Sequence, residues 1–356
     1  MLSLRSLLTK WNLAFNSSSL ATNAPWGNFQ ISFSRTGHDD FIDFLKGVCI
    51  IMVLLTHGLL INVQEYLLYP LWIAQAVPIF LLIQAFHAFK KDRPAFPRPS
   101  HIRTRILRPF LIVQIIFLVH GYLQCQINHT SFPEFLTLFR RCGGLGPGSY
   151  YIWIYLQFAL LLPLSFRLLQ TKYALPLFLF LSIALEIACS LTHILPEHYR
   201  LLFFRYFFLI YLGYLWAKKG ISLNILTLSL SAFSILAILL LYGIHKFYPS
   251  LNLEPFIFDT NWRIFHWFTY FLPAFLLPFL FRWTYHKLSK RINAFIILCG
   301  KRSYHIFLFQ MLVFGIFNQY VSADLKFLFI PLCLLPALLP SRFFESSSPN
   351  SKHTTE

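Results

Sequence analysis

The chain has 356 residues, 57% of them hydrophobic and only 12% charged, against roughly 45–50% and about 25% in an ordinary soluble domain. So few charges cannot cover the surface of a water-soluble fold of this length, which excludes a soluble protein and predicts a membrane protein. The formal charge of +17 does not point to nucleic acid, because Lys and Arg sit in short segments between apolar stretches, where cytoplasmic loops collect them.

In chain order, residues 1–40 form a basic, acid-poor extension carrying Arg5, Lys10 and Arg35. It holds no apolar core long enough for a cleaved signal peptide and reads as a cytoplasmic extension, a transit peptide being the weaker alternative. A membrane span needs about 20 apolar residues to cross ~30 Å of hydrocarbon. Ten candidates follow, near 44–63, 67–89, 106–124, 150–169, 173–192, 201–217, 223–244, 264–283, 303–321 and 325–340. A further apolar piece at 292–299 has the length of a re-entrant segment, and the sixth span is short and contains Arg205. With the amino terminus inside, 23 of the 30 Lys and Arg fall in or beside inner segments, six fall outside and Arg205 lies within a span. That asymmetry sets both termini in the cytoplasm.

The expected fold class is therefore all-α: a polytopic membrane helical bundle of about ten transmembrane helices, occupying residues 41–340, in the cell (inner) membrane. Residues 341–356 are polar and low in complexity, and are expected to be disordered. The six Cys show no CxxC pair and no His partner at metal spacing, so they read as packing residues and no metal is expected.

Ionisable residues inside apolar segments are costly and need a partner or a function. His57 lies eleven residues after Lys46 within FLKGVCIIMVLLTHG, about 16 Å deeper along a regular helix. A neutral imidazole can take a proton from a hydroxyl and release it later, as acyl transfer to an alcohol requires. A packed neutral His is the plainer alternative. Arg103, Arg105 and Arg108 enter the third span, and Arg105 and Arg108, three apart, are expected on one helical face. Guanidinium groups at a helix mouth can clamp phosphates with bidentate bonds, although positive-inside anchoring alone also explains them. Glu186, isolated in the fifth span, either pairs with Arg205 or serves a substrate. His87, His120, His266 and His305 lie near span ends and read as interfacial.

The segment FIDFLKGVCIIMVLLTH resembles the opening of the acyltransferase-3 family of membrane-bound O-acyltransferases, with Asp43, Lys46, Gly47 and His57 matching in type and spacing. VPIFLLIQAF is similar to the family's second span, with Gln84 and Ala85 in place of Ser-Gly. Arg105 and Arg108 match its Arg-x-x-Arg pair. SYYIWIYLQFALLLP resembles the Trp-containing fourth span, with Trp153 and Pro163 in place. CGKRSYHIFLFQ is similar to a late element in which Gly300, Ser303, Tyr304 and Leu308 agree, while Phe307 and Gln310 replace a Tyr and a His.

The resemblance implies an enzyme that moves an acyl group, acetyl in the first instance, from cytoplasmic acyl-CoA (acetyl-CoA) to a hydroxyl of an envelope or cell-surface saccharide. It implies that His57 acts in the transfer and that Lys46, Arg105 and Arg108 handle the phosphorylated donor. Its partners would be the lipid bilayer, acyl-CoA and a saccharide acceptor, with no nucleic acid. Gln310 cannot serve as a base near neutral pH, so a two-His mechanism would need His305 instead. A polytopic transporter or flippase, and a polysaccharide polymerase or ligase, stay open. No internal repeat, few acids and no large outer loop speak for them.

Overall fold

The computed structural model describes residues 29–31, 33, 39–90, 94–248 and 266–339. Arg5, Lys10, Arg35, Asp92, Pro249, Arg263, Arg342, Lys352 and the tail from 341 onward lie outside the described residues.

A short antiparallel pair, β1 (Phe29–Ile31) with β2 (Ile221–Leu223), sets Gln30 opposite Ser222. Among the described residues all other regular structure is helical. Helix α1 (Asp40–Gly58) starts where the Asp39 carboxylate accepts the Phe41 backbone N–H at 3.0 Å, satisfying one of the orphan donors of a first turn. A short helix, Ile61–Tyr66, and two 3-10 turns then lead into α2 (Ala76–Phe89). Residues 99–128 run continuously, through a π turn at Arg103–Leu107 into α3 (Arg108–Asn128). They are followed by a ten-residue helix, Phe132–Arg141, and then by α4 (Tyr150–Leu169) and α5 (Ala174–Leu191). The second half holds α6 (Phe208–Lys219), α7 (Ile225–Phe247), α8 (Leu277–Lys287), α9 (Lys290–Lys301) and α10 (Ser303–Phe317).

Among the described residues six helical runs are long and apolar enough to cross a membrane: 40–58, 69–89, 99–128, 150–169, 174–191 and 225–247. Each coincides with one of the ten expected spans. The other four are shorter or broken. The sixth divides into a 3-10 turn at Phe204–Tyr206 and the twelve residues of α6. The eighth carries Pro273 inside a π turn and Pro278 at the start of α8. The tenth breaks into three pieces around Pro331 and Pro336, because proline lacks the N–H a helix interior requires. The ninth, α10, is continuous but only 15 residues long. The apolar piece at 292–299 is the core of α9, whose twelve residues span about 18 Å and cannot cross the hydrocarbon.

Helix α1 is one of the two most buried runs: 61% of its apolar stretch is buried, as in 69–89, against 28% for 99–128 and α7. It lies against α9 with almost no side chain between. A methyl on Gly47 would sit 1.9 Å from the Ile296 carbonyl oxygen, and one on Gly300 1.8 Å from that of Asp43. Small residues that let backbones approach are the usual means of helix association in lipid, where apolar burial gives no drive. The outward faces of α3 and α7, by contrast, expose Ile112, Ile115, Leu236 and Leu240, as a lipid-facing surface should.

Candidate active site

Six helical segments converge on one cavity of about 490 Å³. On α1 the lining residues are Lys46, Ile50 and Val53, spaced four and three apart and so on a single face. Helix α2 adds Val77, Phe80, Gln84 and His87 at the same spacing, α4 adds Tyr151 and Tyr155, and α10 adds Ser303, Tyr304, His305 and Phe307. At one end the wall is basic: Lys46, His87, His101, Arg105 and Lys301. The deeper wall is apolar and aromatic, with Tyr151 packed on Phe80 at 6.1 Å and on Phe307 at 5.7 Å between ring centres.

The cations at the mouth are held from behind. Asp43, 3% exposed, accepts from Lys46 Nζ at 3.0 Å, which fixes the ammonium on the cavity side of α1. At the rim Lys301 Nζ stands 4.0 Å from Asp40. Tyr304 donates to the Ile106 carbonyl at 2.6 Å, tying α10 to the π turn that carries Arg105. That carbonyl lies in a turn whose i→i+5 bonding leaves main-chain groups out of the ordinary α ladder, a feature frequent at functional sites.

The structure brings together Lys46, Arg105, Ser303 and Tyr304, with Asp43 behind them. His57 continues the α1 stripe one turn beyond Val53, half-buried, with its ring 6.1 Å from that of Phe314. It does not itself line the cavity, whose wall on this helix ends at Val53. Arg108 is exposed and does not line the cavity. Of the pair expected on one helical face, Arg105 within the π turn lines the cavity and Arg108, just beyond that turn, does not. Trp153 also lies outside the cavity, 39% exposed, with its indole N–H on the Gly143 carbonyl at 2.5 Å.

Glu186 is corrected as well. Its carboxylate meets His266 Nδ1 at 2.9 Å, not Arg205, and both residues are buried away from the cavity. His266 is therefore an interior residue and not an interfacial one. Arg205, 1% exposed, stacks near the rings of Tyr199 and Tyr206 at 5.3 and 5.1 Å and donates to the Arg200 carbonyl. His87 and His305, read as interfacial from their positions near span ends, line the cavity.

Gln310, where the resemblance expects a His, is fully buried and donates from Nε2 to the Pro147 carbonyl at 3.0 Å. Pro147 belongs to a segment, 143–148, whose glycines 143, 144, 146 and 148 all have positive φ, a backbone that other residues rarely adopt. Gln114 grips the same segment through both main-chain groups of one residue, accepting from Leu145 N at 2.7 Å and donating to Leu145 O at 3.1 Å. Phe117 packs on Gly146 and Gly315. Beyond the segment, at the far end of α3 from Arg105, lies a second hollow of about 370 Å³, lined by His120, Gln124, Ser131, Glu134 and Gln319. The run GGLGPG was visible in the sequence as a turn signal, but nothing local indicates that it folds inward. Among the described residues no group of three or more His, Cys, Asp or Glu is placed to hold a metal ion.

An apolar helical bundle with a cavity that carries Lys46, Arg105 and Lys301 at one end defines an integral membrane protein. The profile of the acyltransferase-3 family, an acyltransferase domain, matches residues 39–342. The chain belongs to that family and is a membrane acyltransferase. No curated protein and no solved structure gives a significant match.

Proposed function

We propose that the protein transfers an acyl group, acetyl in the first instance, from acyl-CoA entering at the basic end to a saccharide hydroxyl presented at the opposite end. The observation that carries this reading is the cavity's polarity: five basic side chains at its mouth and an apolar floor that leads along α1 toward His57. Arg105 and Lys46 hold the donor's phosphates, Arg105 through a planar fork and Lys46 as a point charge. The thioester lies toward Val53 and Phe307. His57 accepts the proton of the acceptor hydroxyl as its oxygen attacks the thioester carbonyl. The C–S bond then breaks and the coenzyme thiolate leaves, taking up the proton. The hollow beside His120, Gln124 and Glu134 offers amide, imidazole and carboxylate groups to a sugar's hydroxyls, which supports an acceptor arriving from that side.

In this reading the basic end faces the cytoplasm, both termini lie there, the chain makes ten crossings, and the membrane is the inner one. The test uses purified protein in vesicles with radiolabelled acetyl-CoA outside and extracted envelope saccharide inside. The reading expects label in the saccharide and free coenzyme in stoichiometric amounts. Passage of saccharide or lipid across the vesicle with no coenzyme released would instead identify a transporter.

A further inference from the structure

We infer that Gln84 binds the amide-bearing arm of the acyl donor, an inference that rests on the acyl-CoA reading above. Gln84 lines the cavity on α2, one turn inward from His87 at the mouth. Its Nε2 donates to the Tyr155 carbonyl on α4 at 2.9 Å. That bond fixes which end of the amide is which, because an amide oxygen in its place would face another oxygen. Oε1 is consequently buried, with no hydrogen-bond partner. A buried acceptor without a donor is unfavourable, and its persistence beside a cavity calls for a ligand that brings the donor. The terminal torsion of a glutamine is soft, so a small rotation turns this oxygen toward an entering group.

The position of Gln84 selects the part of the ligand that meets it. Basic groups lie on one side, at Lys46, His87 and Arg105, and the apolar floor of Val53, Phe80 and Phe307 lies on the other. A donor with its phosphates at the mouth and its acyl group at the floor passes Gln84 with its middle. In a coenzyme A thioester that middle is a chain containing two secondary amides, each with an N–H to donate. From the nearest phosphorus to the sulfur it has roughly thirteen bonds and extends on the order of 15 Å. Lys46 and His57 are separated by about 16 Å of helix. The extended arm therefore runs from the basic mouth along α1 toward the imidazole, with an amide passing Gln84 on the way.

The experiment measures dissociation constants by calorimetry for two probes, acetyl-CoA and adenosine 3′,5′-bisphosphate, which keeps the 3′-phosphate and the first 5′-phosphate and lacks the second 5′-phosphate and the arm. Both are titrated into the purified wild-type protein, Gln84→Leu and Gln84→Met. Loss of one neutral hydrogen bond predicts acetyl-CoA weakened about threefold to tenfold in both variants. Binding of the bisphosphate should be unchanged, which also establishes that the variants are folded. Unchanged acetyl-CoA binding overturns the inference, and so does equal weakening of the two probes. If the wild-type protein binds the bisphosphate or neither probe but not acetyl-CoA, the donor reading itself falls, and the role of Gln84 falls with it.

Discussion

Two polar regions interrupt this apolar bundle, and they are built in opposite ways. Around Glu186, His266 and Arg205 the polar groups are sealed: the carboxylate meets an imidazole and the guanidinium is enclosed by tyrosine rings. Around Lys46 and Arg105 the polar groups front an open cavity, and their protein partners lie behind or beside them. Both regions place ionisable residues in apolar segments, so composition alone gives them equal standing as sites. The difference is access. A buried charge whose partners are protein groups holds helices together, whereas a charge aimed into a cavity is available to a ligand.

The comparison is broken most forcefully at His57, which lies one turn beyond Val53 on the same helical face. His57→Ala is expected to lower acyl transfer by about 10²–10⁴-fold, the usual cost of a missing general base, while acetyl-CoA binding is kept. Steady-state turnover alongside calorimetry checks this, and a variant retaining more than about a tenth of wild-type turnover reduces His57 to a packed polar residue.

At the sealed cluster the expected loss is in stability rather than turnover. Glu186→Ala leaves His266 without its carboxylate, and removing one member of a buried pair typically costs about 3–5 kcal/mol. Thermal unfolding in detergent should register this, with activity per folded molecule near wild type. A variant of normal stability but without turnover would move Glu186 into the chemistry and erase the distinction drawn here.

A finer test lies within a single turn. Arg105→Ala should raise the acetyl-CoA concentration for half-maximal turnover about tenfold or more, the range for a lost charged hydrogen bond. Arg105→Lys should recover only part of this, since a point charge cannot form the fork. Arg108→Ala should change it little, because that residue is exposed and does not line the cavity. Equal effects at the two positions would mean that Arg108 reaches the donor after all.

The smallest effect is expected at the opposite end, where Glu65 joins two helices. Its carboxylate accepts from Lys246 Nζ at 2.6 Å and from the Tyr242 hydroxyl at 2.9 Å. The Lys246 hydrogen bond, then that of Tyr242, holds Glu65 below the usual carboxylate range. A folded-state value lowered in this way stabilises the fold above the unfolded pKa and ceases to do so as pH falls through the lowered value. Melting temperature should therefore be flat from neutral pH down to the ordinary carboxylate range and decline only below it. Glu65→Gln should flatten that acid limb slightly, because exposed pairs contribute little. An unchanged acid limb would assign the decline to other groups.

Much of this molecule could be read along the chain because the relevant signals are local. The scarcity of charge specifies a membrane fold, the length of each apolar run predicts the six long helices, and the 3.6-residue period aligns Lys46 with His57. The opening motif and the late Gly-x-x-Ser-Tyr element carry the family, which the match over residues 39–342 bears out. What only the tertiary structure decided is where separate helices meet. That Glu186 faces His266, eighty residues away, and that His87, His101, Lys301 and His305 join the cavity, depends on packing that no window of one helix contains. The same holds for the inward fold of the glycine segment, which the side-chain amides of Gln114 and Gln310 secure. Prolines and π turns, visible only as single residues or not at all, then interrupt the helices, and Arg105 lines the cavity while Arg108 does not. A one-dimensional period cannot carry that information, because it comes from the angle and depth at which several helices converge.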